Sequence, residues 1–174
     1  MSKRYSFEFF PPKTEVGRDK LKQTRTELNA LDPDFFSVTY GAGGSTRDNT
    51  RGIVLETLAA GIDVAPHLSF GGDEEAEVLS LIEQYREAGV RRIVALRGDI
   101  PSGMGATRLI YARELVEFIR KHTGDHFELE VAAYPEVHPD APSYEQDVAY
   151  LKEKLDAGAN SAITQYFFNA DAYF

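Results

Sequence analysis

A parallel α/β fold of the (β/α)8 TIM-barrel type, here with about six βα units, is the class this sequence predicts. Three observations predict it. Apolar, β-branched or aromatic runs recur six times, at "SFEFF", "FFSVTYG", "IDVAPHLSF", "VRRIVALRGD", "FELEVAAYP" and "NSAITQYFF", with helix-patterned segments between them. Strand followed by helix, repeating every ~20–40 residues, is the grammar of parallel βα units, whose crossovers are right-handed. A doubly wound sheet would place a GxGxxG turn after the first strand, but that strand runs into "FFPPKT", and the Gly-rich "GAGGST" follows the second. Finally, polar or ionisable residues stand at the end of every strand, the rim where parallel barrels build their sites.

The elements follow in order. Strands are expected near 6–10, 35–40, 62–68, 92–97, 128–134 and 161–168, in sequential neighbour order with helices outside. In "EVGRDKLKQTRTELNAL" the residues Val16, Leu21, Leu28 and Leu31 form a loose apolar face. "STRDNTRGIVLETLAAG" opens on Ser45 or Thr46 as N-cap and closes on Gly61. "GDEEAEVLSLIEQYREAG" sets acids in its first turn and Gly89 at its end, matching the helix dipole. "ATRLIYARELVEFIRKHTG" and "SYEQDVAYLKEKLDAGA" repeat the pattern. A closed barrel takes about 200 residues or more. With 174 residues ending shortly after the sixth strand, one incomplete-barrel domain over 1–174, C-terminally truncated, is expected.

Composition narrows the function. At 43% hydrophobic and 27% charged residues, the chain can bury a core and reads as a globular protein. No apolar run reaches the roughly 18 residues of a bilayer span, and no signal-peptide core opens the chain, so a cytoplasmic protein without a membrane partner is expected. The net charge is −9, and Lys and Arg are scattered among acids, which argues against nucleic acid as a partner. Absence of Cys excludes disulfides and thiolate chemistry. No HExxH or paired His at ligand spacing marks a metal site, so His67 and His138 read as hydrogen-bonding groups.

The strand ends supply the candidate site: Glu8 within the first strand, Thr39 and Tyr40 on the second, His67 on the third, and Arg97, Gly98 and Asp99 on the fourth. The fifth ends in Tyr134, Glu136 and His138, and the sixth in Thr164 and Gln165. Each alone has a plain structural reading: a turn, a satisfied histidine, a paired carboxylate. Their coincidence at one end of the sheet favours a site.

The motifs "SFEFFPPK", "FFSVTYGAGGSTRDNT", "APHLSF", "ALRGD", "AAYPEVHPDA" and "DAGANSAITQYFF" together resemble the 5,10-methylenetetrahydrofolate reductase family, in family order and over nearly the whole chain. The resemblance implies a barrel that binds FAD at its C-terminal face, takes reducing equivalents from NAD(P)H and converts methylenetetrahydrofolate to 5-methyltetrahydrofolate in one-carbon and methionine metabolism. It implies Glu8 as the acid that protonates N10 of the folate. Among Phe7, Phe9 and Phe10, that carboxyl is expected to be held protonated by desolvation. Asp99 matches a residue near flavin and pterin, and Gln165 a folate contact. Thr39, Tyr40, Ala42, His67, Arg97, Gly98, Ala112, Tyr134, His138, Ala141, Asp147 and Lys154 match cofactor-binding positions. Tyr150 stands where the family pattern leads one to expect Asn. Homo-oligomeric assembly is also a family expectation. Two other readings remain open: another FAD barrel oxidoreductase of proline-dehydrogenase type, and a non-catalytic barrel fragment.

Overall fold

The computed structural model describes residues 4–40, 44–70, 74–98 and 111–174. Six strands, β1 (Ser6–Phe9), β2 (Phe35–Val38), β3 (Val64–Leu68), β4 (Arg92–Ala95), β5 (Glu128–Ala133) and β6 (Ser161–Thr164), form one sheet in the order 1-2-3-4-5-6. Every neighbouring pair is parallel. Helices α1 (Glu15–Asn29), α2 (Gly44–Ala59), α3 (Glu75–Ala88), α4 (Ala112–Thr123) and α5 (Tyr144–Asp156) make the crossovers, and a 3-10 turn covers Ala170–Ala172. The expected order and direction hold. The strands are shorter than expected, most of all β6, because Phe168 and Asn169 give their N–H groups to the Glu136 carboxylate instead of a ladder.

Local chemistry sets the helix boundaries. Thr14 caps α1 by accepting from Gly17 N (3.1 Å), and Ser143 caps α5 by accepting from Gln146 N (3.2 Å). Glu114 reaches back to Tyr111 N (2.8 Å) at the start of α4. Helix α3 stops at Gly89, whose φ of 94° suits a residue without Cβ. Because α2 begins at Gly44, Ser45 and Thr46 stand in its first turn and not at its cap.

The core lies between the sheet and the helices. Val38, Val64, Leu68, Ile93, Ala95, Leu129 and Val131 pack against Ile53, Val54, Val78, Leu81, Ile82, Tyr85, Leu115, Val116 and Ile119. Each buried aliphatic side chain contributes about 1.5–3 kcal/mol of transfer free energy. Phe7 and Phe9 join this side of the sheet by stacking on buried Phe36 (5.8 and 5.2 Å between centroids). Helix α1 meets the expectation in part: Leu21 packs against the core and Leu28 is half-buried, but Val16 and Leu31 are exposed, and its buried residue is Arg25. That guanidinium donates to Thr57 Oγ1 (2.7 Å) and pairs with Glu56 (3.3 Å), anchoring α1 to α2 through charge.

The opposite face is concave. Adjacent strands lie about 4.8 Å apart, so side chains two strands apart meet only where the sheet curls toward them. Two contacts skip a strand in this way. Arg92 of β4 lies over the Phe35 ring of β2 (4.5 Å), and His67 of β3 meets Glu8 of β1 (3.3 Å). The curl is that of an open barrel wall.

Candidate active site

Glu8 is opposite Ser37 in the β1–β2 register. Alternation turns its side chain away from Phe7 and Phe9 and toward the concave face. Its carboxylate is 49% exposed, and His67 Nε2 lies 3.3 Å from its Oε2. The imidazole holds the Glu8 carboxyl below the usual carboxylate range, against a smaller opposing effect of burial. The expectation of an aromatic enclosure that keeps Glu8 protonated is therefore corrected. Phe7 and Phe9 face the helices, Phe10 is itself largely exposed, and the nearest influence on the carboxyl is a proton donor. His67 is buried, and its Nε2 has no partner in good hydrogen-bond alignment among the described residues. At 3.3 Å the imidazole acts on the carboxyl chiefly as a hydrogen-bonding group, although the approach is off the line of an ideal bond.

A second cluster forms beyond the ends of β4 and β5. Arg97 pairs with Asp140 (2.9 Å), and Asp140 N donates to His138 Nδ1 (3.0 Å). His138 N donates to Asp147 Oδ2 (3.1 Å) from α5, Ala141 N donates to His138 O (2.9 Å), and the Tyr134 ring meets His138 edge-on at 4.5 Å. Two backbone features lie beyond these strand ends: Gly98, after β4, has φ 77°, and Val137, after β5, has φ 68°. Val137 pays a steric cost for a left-handed conformation, the kind of strain that collects at binding loops. Lys154 Nζ donates to Ala132 O (2.5 Å), and burial pulls its pKa down while Asp147 opposes that shift. Arg97, Tyr134, His138, Ala141, Asp147 and Lys154, chosen separately from the sequence, thus form one neighbourhood.

Thr39 bridges β1 and α2: its N–H donates to Phe9 O (2.9 Å) and its carbonyl accepts from Thr50 Oγ1 (2.9 Å). Tyr40 packs against the core. Gln165 follows β6 with its N–H on Ala133 O (2.8 Å), and its side chain is exposed at the rim. Ala112 is the first residue of α4. Ala42 and Asp99 lie outside the described residues.

The sequence reading missed the floor of the concave face. Buried Glu130 pairs with Arg92 (2.5 Å) and accepts from the Ser161 hydroxyl. Period-2 alternation in "FELEV" marks Glu128 and Glu130 as the polar face, which in a curled sheet is the interior. Among the described residues, no three His, Cys, Asp or Glu side chains converge as metal ligands, and no helix is long and apolar enough to cross a membrane.

Solved structures with the same arrangement include 2,3-dimethylmalate lyase, a member of the PEP mutase/isocitrate lyase superfamily. It matches with a TM-score of 0.61 at 14% identity, over 97% of this chain and 59% of that one. The sialic acid aldolase of Ruminococcus gnavus matches with a TM-score of 0.58 at 11% identity, over 95% and 55%. At such identities the likeness concerns the fold alone. The sequence decides the family: the methylenetetrahydrofolate reductase model matches residues 1–174. The chain belongs to the methylenetetrahydrofolate reductase family. Curated 5,10-methylenetetrahydrofolate reductases from Pectobacterium carotovorum subsp. carotovorum and Escherichia coli K12 are each 45% identical over 169 residues. A probable methylenetetrahydrofolate reductase (NADH) of Oryza sativa subsp. japonica is 37% identical over 185 residues. All three matches cover 97% of this chain, but 56% of each bacterial reductase and 31% of the rice protein. The chain thus spans little more than half the length of the bacterial reductases it matches.

Proposed function

We propose that this chain forms part of a flavin-dependent reductase that converts 5,10-methylenetetrahydrofolate to 5-methyltetrahydrofolate with NAD(P)H. The observation that supports it most is the position of Glu8: a solvent-reachable carboxyl on the concave face, in contact with an imidazole, within a chain of this family.

The rim residues fit FAD. Arg97 presents a guanidinium whose partner, Asp140, is 64% exposed, so a ligand phosphate can compete for it. Tyr134 and His138 offer ring surfaces beside it, and Asp147 a carboxylate able to accept hydroxyl bonds. Thr39, Tyr40, Ala42, Gly98, Ala112, Ala141 and Lys154 complete the proposed cradle. The chemistry FAD supplies when bound is two-electron transfer, from NAD(P)H in one half-reaction and to the folate in the other.

The residues of the chain then divide the remaining work. As the bond between the folate's bridging methylene and N10 breaks, the Glu8 carboxyl gives its proton to N10 and becomes a carboxylate. The ring opens to a 5-iminium cation, which Asp99 would stabilise by its charge. Gln165 offers a donor and an acceptor to the pterin edge.

The test is Glu8→Gln in the protein that carries this chain, with the two half-reactions followed separately by stopped-flow flavin absorbance. Flavin reduction by NAD(P)H needs no acid at N10 and should stay within about threefold of the parent. Reoxidation by methylenetetrahydrofolate should fall by about 10²–10⁴-fold, the usual range for general acid catalysis. Equal impairment of both halves would make Glu8 a flavin-positioning residue, and unimpaired reoxidation would remove it from the chemistry.

A further inference from the structure

A general acid must hold a proton when its substrate arrives, yet Glu8 stands beside an imidazole that favours its anion. The geometry suggests how both can be true. Glu8 and His67 sit on strands separated by β2, with Oε2 and Nε2 at 3.3 Å. Glu8 is half-exposed, whereas His67 is buried. Among the described residues, the cations at and beyond β4 are paired: Arg92 with Glu130 of β5, and Arg97 with Asp140. Strand β2 (Phe35–Val38) contributes no charged side chain between Glu8 and His67.

We propose that His67 is a positioning residue for Glu8, and that the two side chains hold one proton between them which moves onto Glu8 when a bound ligand covers the carboxyl. The proposal rests on the reductase reading above. With one shared proton, the pair is either carboxylate and imidazolium or carboxylic acid and imidazole. Both forms have zero net charge, so the proton can transfer without changing the charge of the site. Water around Glu8 favours the charge-separated form. A flat ligand over the concave face removes that water and raises the cost of separated charges, which favours the neutral form. Nε2 loses its N–H bond, Oε2 gains an O–H bond, and the acid is loaded in place. After Glu8 gives this proton to the leaving amine, one proton from solvent restores the pair. The 3.3 Å contact is poorly aligned, and catalytic hydrogen bonds of this kind tighten when the substrate is bound.

The experiment is a pH titration of the Glu8 carboxyl by carbon-13 NMR, with Glu8→Gln identifying the signal, in the parent, His67→Gln and His67→Asn. Removal of the imidazole should raise the proton affinity of Glu8 by about tenfold, the lower end of what an adjacent opposite charge produces. Unchanged titration in a folded variant overturns the proposal. Infrared difference spectra of the parent supply a readout that needs no substituted His67. At saturation with 5-methyltetrahydrofolate as probe, a protonated-carboxyl band absent from Glu8→Gln should grow in. A carboxylate that stays ionised beneath the bound probe also overturns it. If Glu8→Gln leaves folate reduction intact, the reductase role of Glu8 fails, while the titration still decides whether the two groups share a proton. If Glu8→Gln abolishes folate reduction and His67 variants leave the titration unmoved, the role stands and the shared proton does not.

Discussion

Arg120 offers a quantitative test of how the β5 and β6 units are joined. Its Nε donates to Gly158 O (2.9 Å), and its Nη1 to Gly124 O (3.0 Å) and Phe127 O (2.8 Å). Its Nη2 donates to Asn160 Oδ1 (2.6 Å), which also accepts from Leu129 N (2.7 Å). One guanidinium therefore collects the carbonyls that end α4, precede β5 and precede β6. Arg120→Met keeps the aliphatic stem, which packs on Gly158, and deletes the donors. The bonds to Gly158 O and Phe127 O are part-buried, while those to Gly124 O and Asn160 are exposed and can be replaced by water. At about 1.5–3 kcal/mol per charge-assisted bond, the two part-buried losses predict a destabilisation of about 3–6 kcal/mol. For a domain of this size, that corresponds to a fall in Tm of roughly 6–24 °C. Urea unfolding followed by circular dichroism measures it, with the slope m checked for constancy. Lysine, which lacks the planar fork, should restore less than half of the loss. A destabilisation below about 1 kcal/mol for Arg120→Met would refute the view that this side chain joins the two units.

Two further outcomes follow from the rim. Arg97→Ala should release FAD more readily from the purified protein, by about tenfold or more in Kd, given one lost charge-assisted contact to phosphate; fluorescence of released flavin reads this, and unchanged retention removes Arg97 from the cradle. Lys154 has a folded pKa depressed by burial, so its protonated form costs stability at pH values below that pKa, and the cost disappears as pH rises through the folded value toward the ordinary 10.5. Lys154→Met should therefore gain most on the parent near neutral pH and lose that advantage in alkaline urea titrations; an advantage independent of pH would assign the effect to packing.

The alternation of runs was enough to read six parallel strands, because strand and helix periodicities differ and each run ends in recognisable caps and glycines. The rim residues were legible for the same reason, since position at a strand end follows from where the strand lies. The environment of each side chain was less legible. "SFEFF" suggests a carboxyl among aromatics when read as a line of neighbours, yet two of those aromatics stack on Phe36 across the sheet from Glu8. The imidazole that governs Glu8 is 59 residues away (67 − 8) and meets it only because the sheet curls. Glu130 went unread for want of that curvature, and Arg25 joins Leu21 in anchoring α1 because its partners, Glu56 and Thr57, belong to the next helix.

The uninterrupted strand order has a consequence for how the chain acquires its structure. Each strand finds its partner in the unit made just before it, so no pairing has to wait for a distant segment. Loop-closure entropy is then met in small instalments, and contact order stays low for a parallel sheet. Growth can proceed unit by unit in the order of synthesis, with each new helix covering the strand it follows. The concave contacts that skip a strand, Glu8 with His67 and Arg92 with Phe35, cannot form until three successive strands are in place. The surroundings of Glu8 are therefore complete only once the third strand has docked.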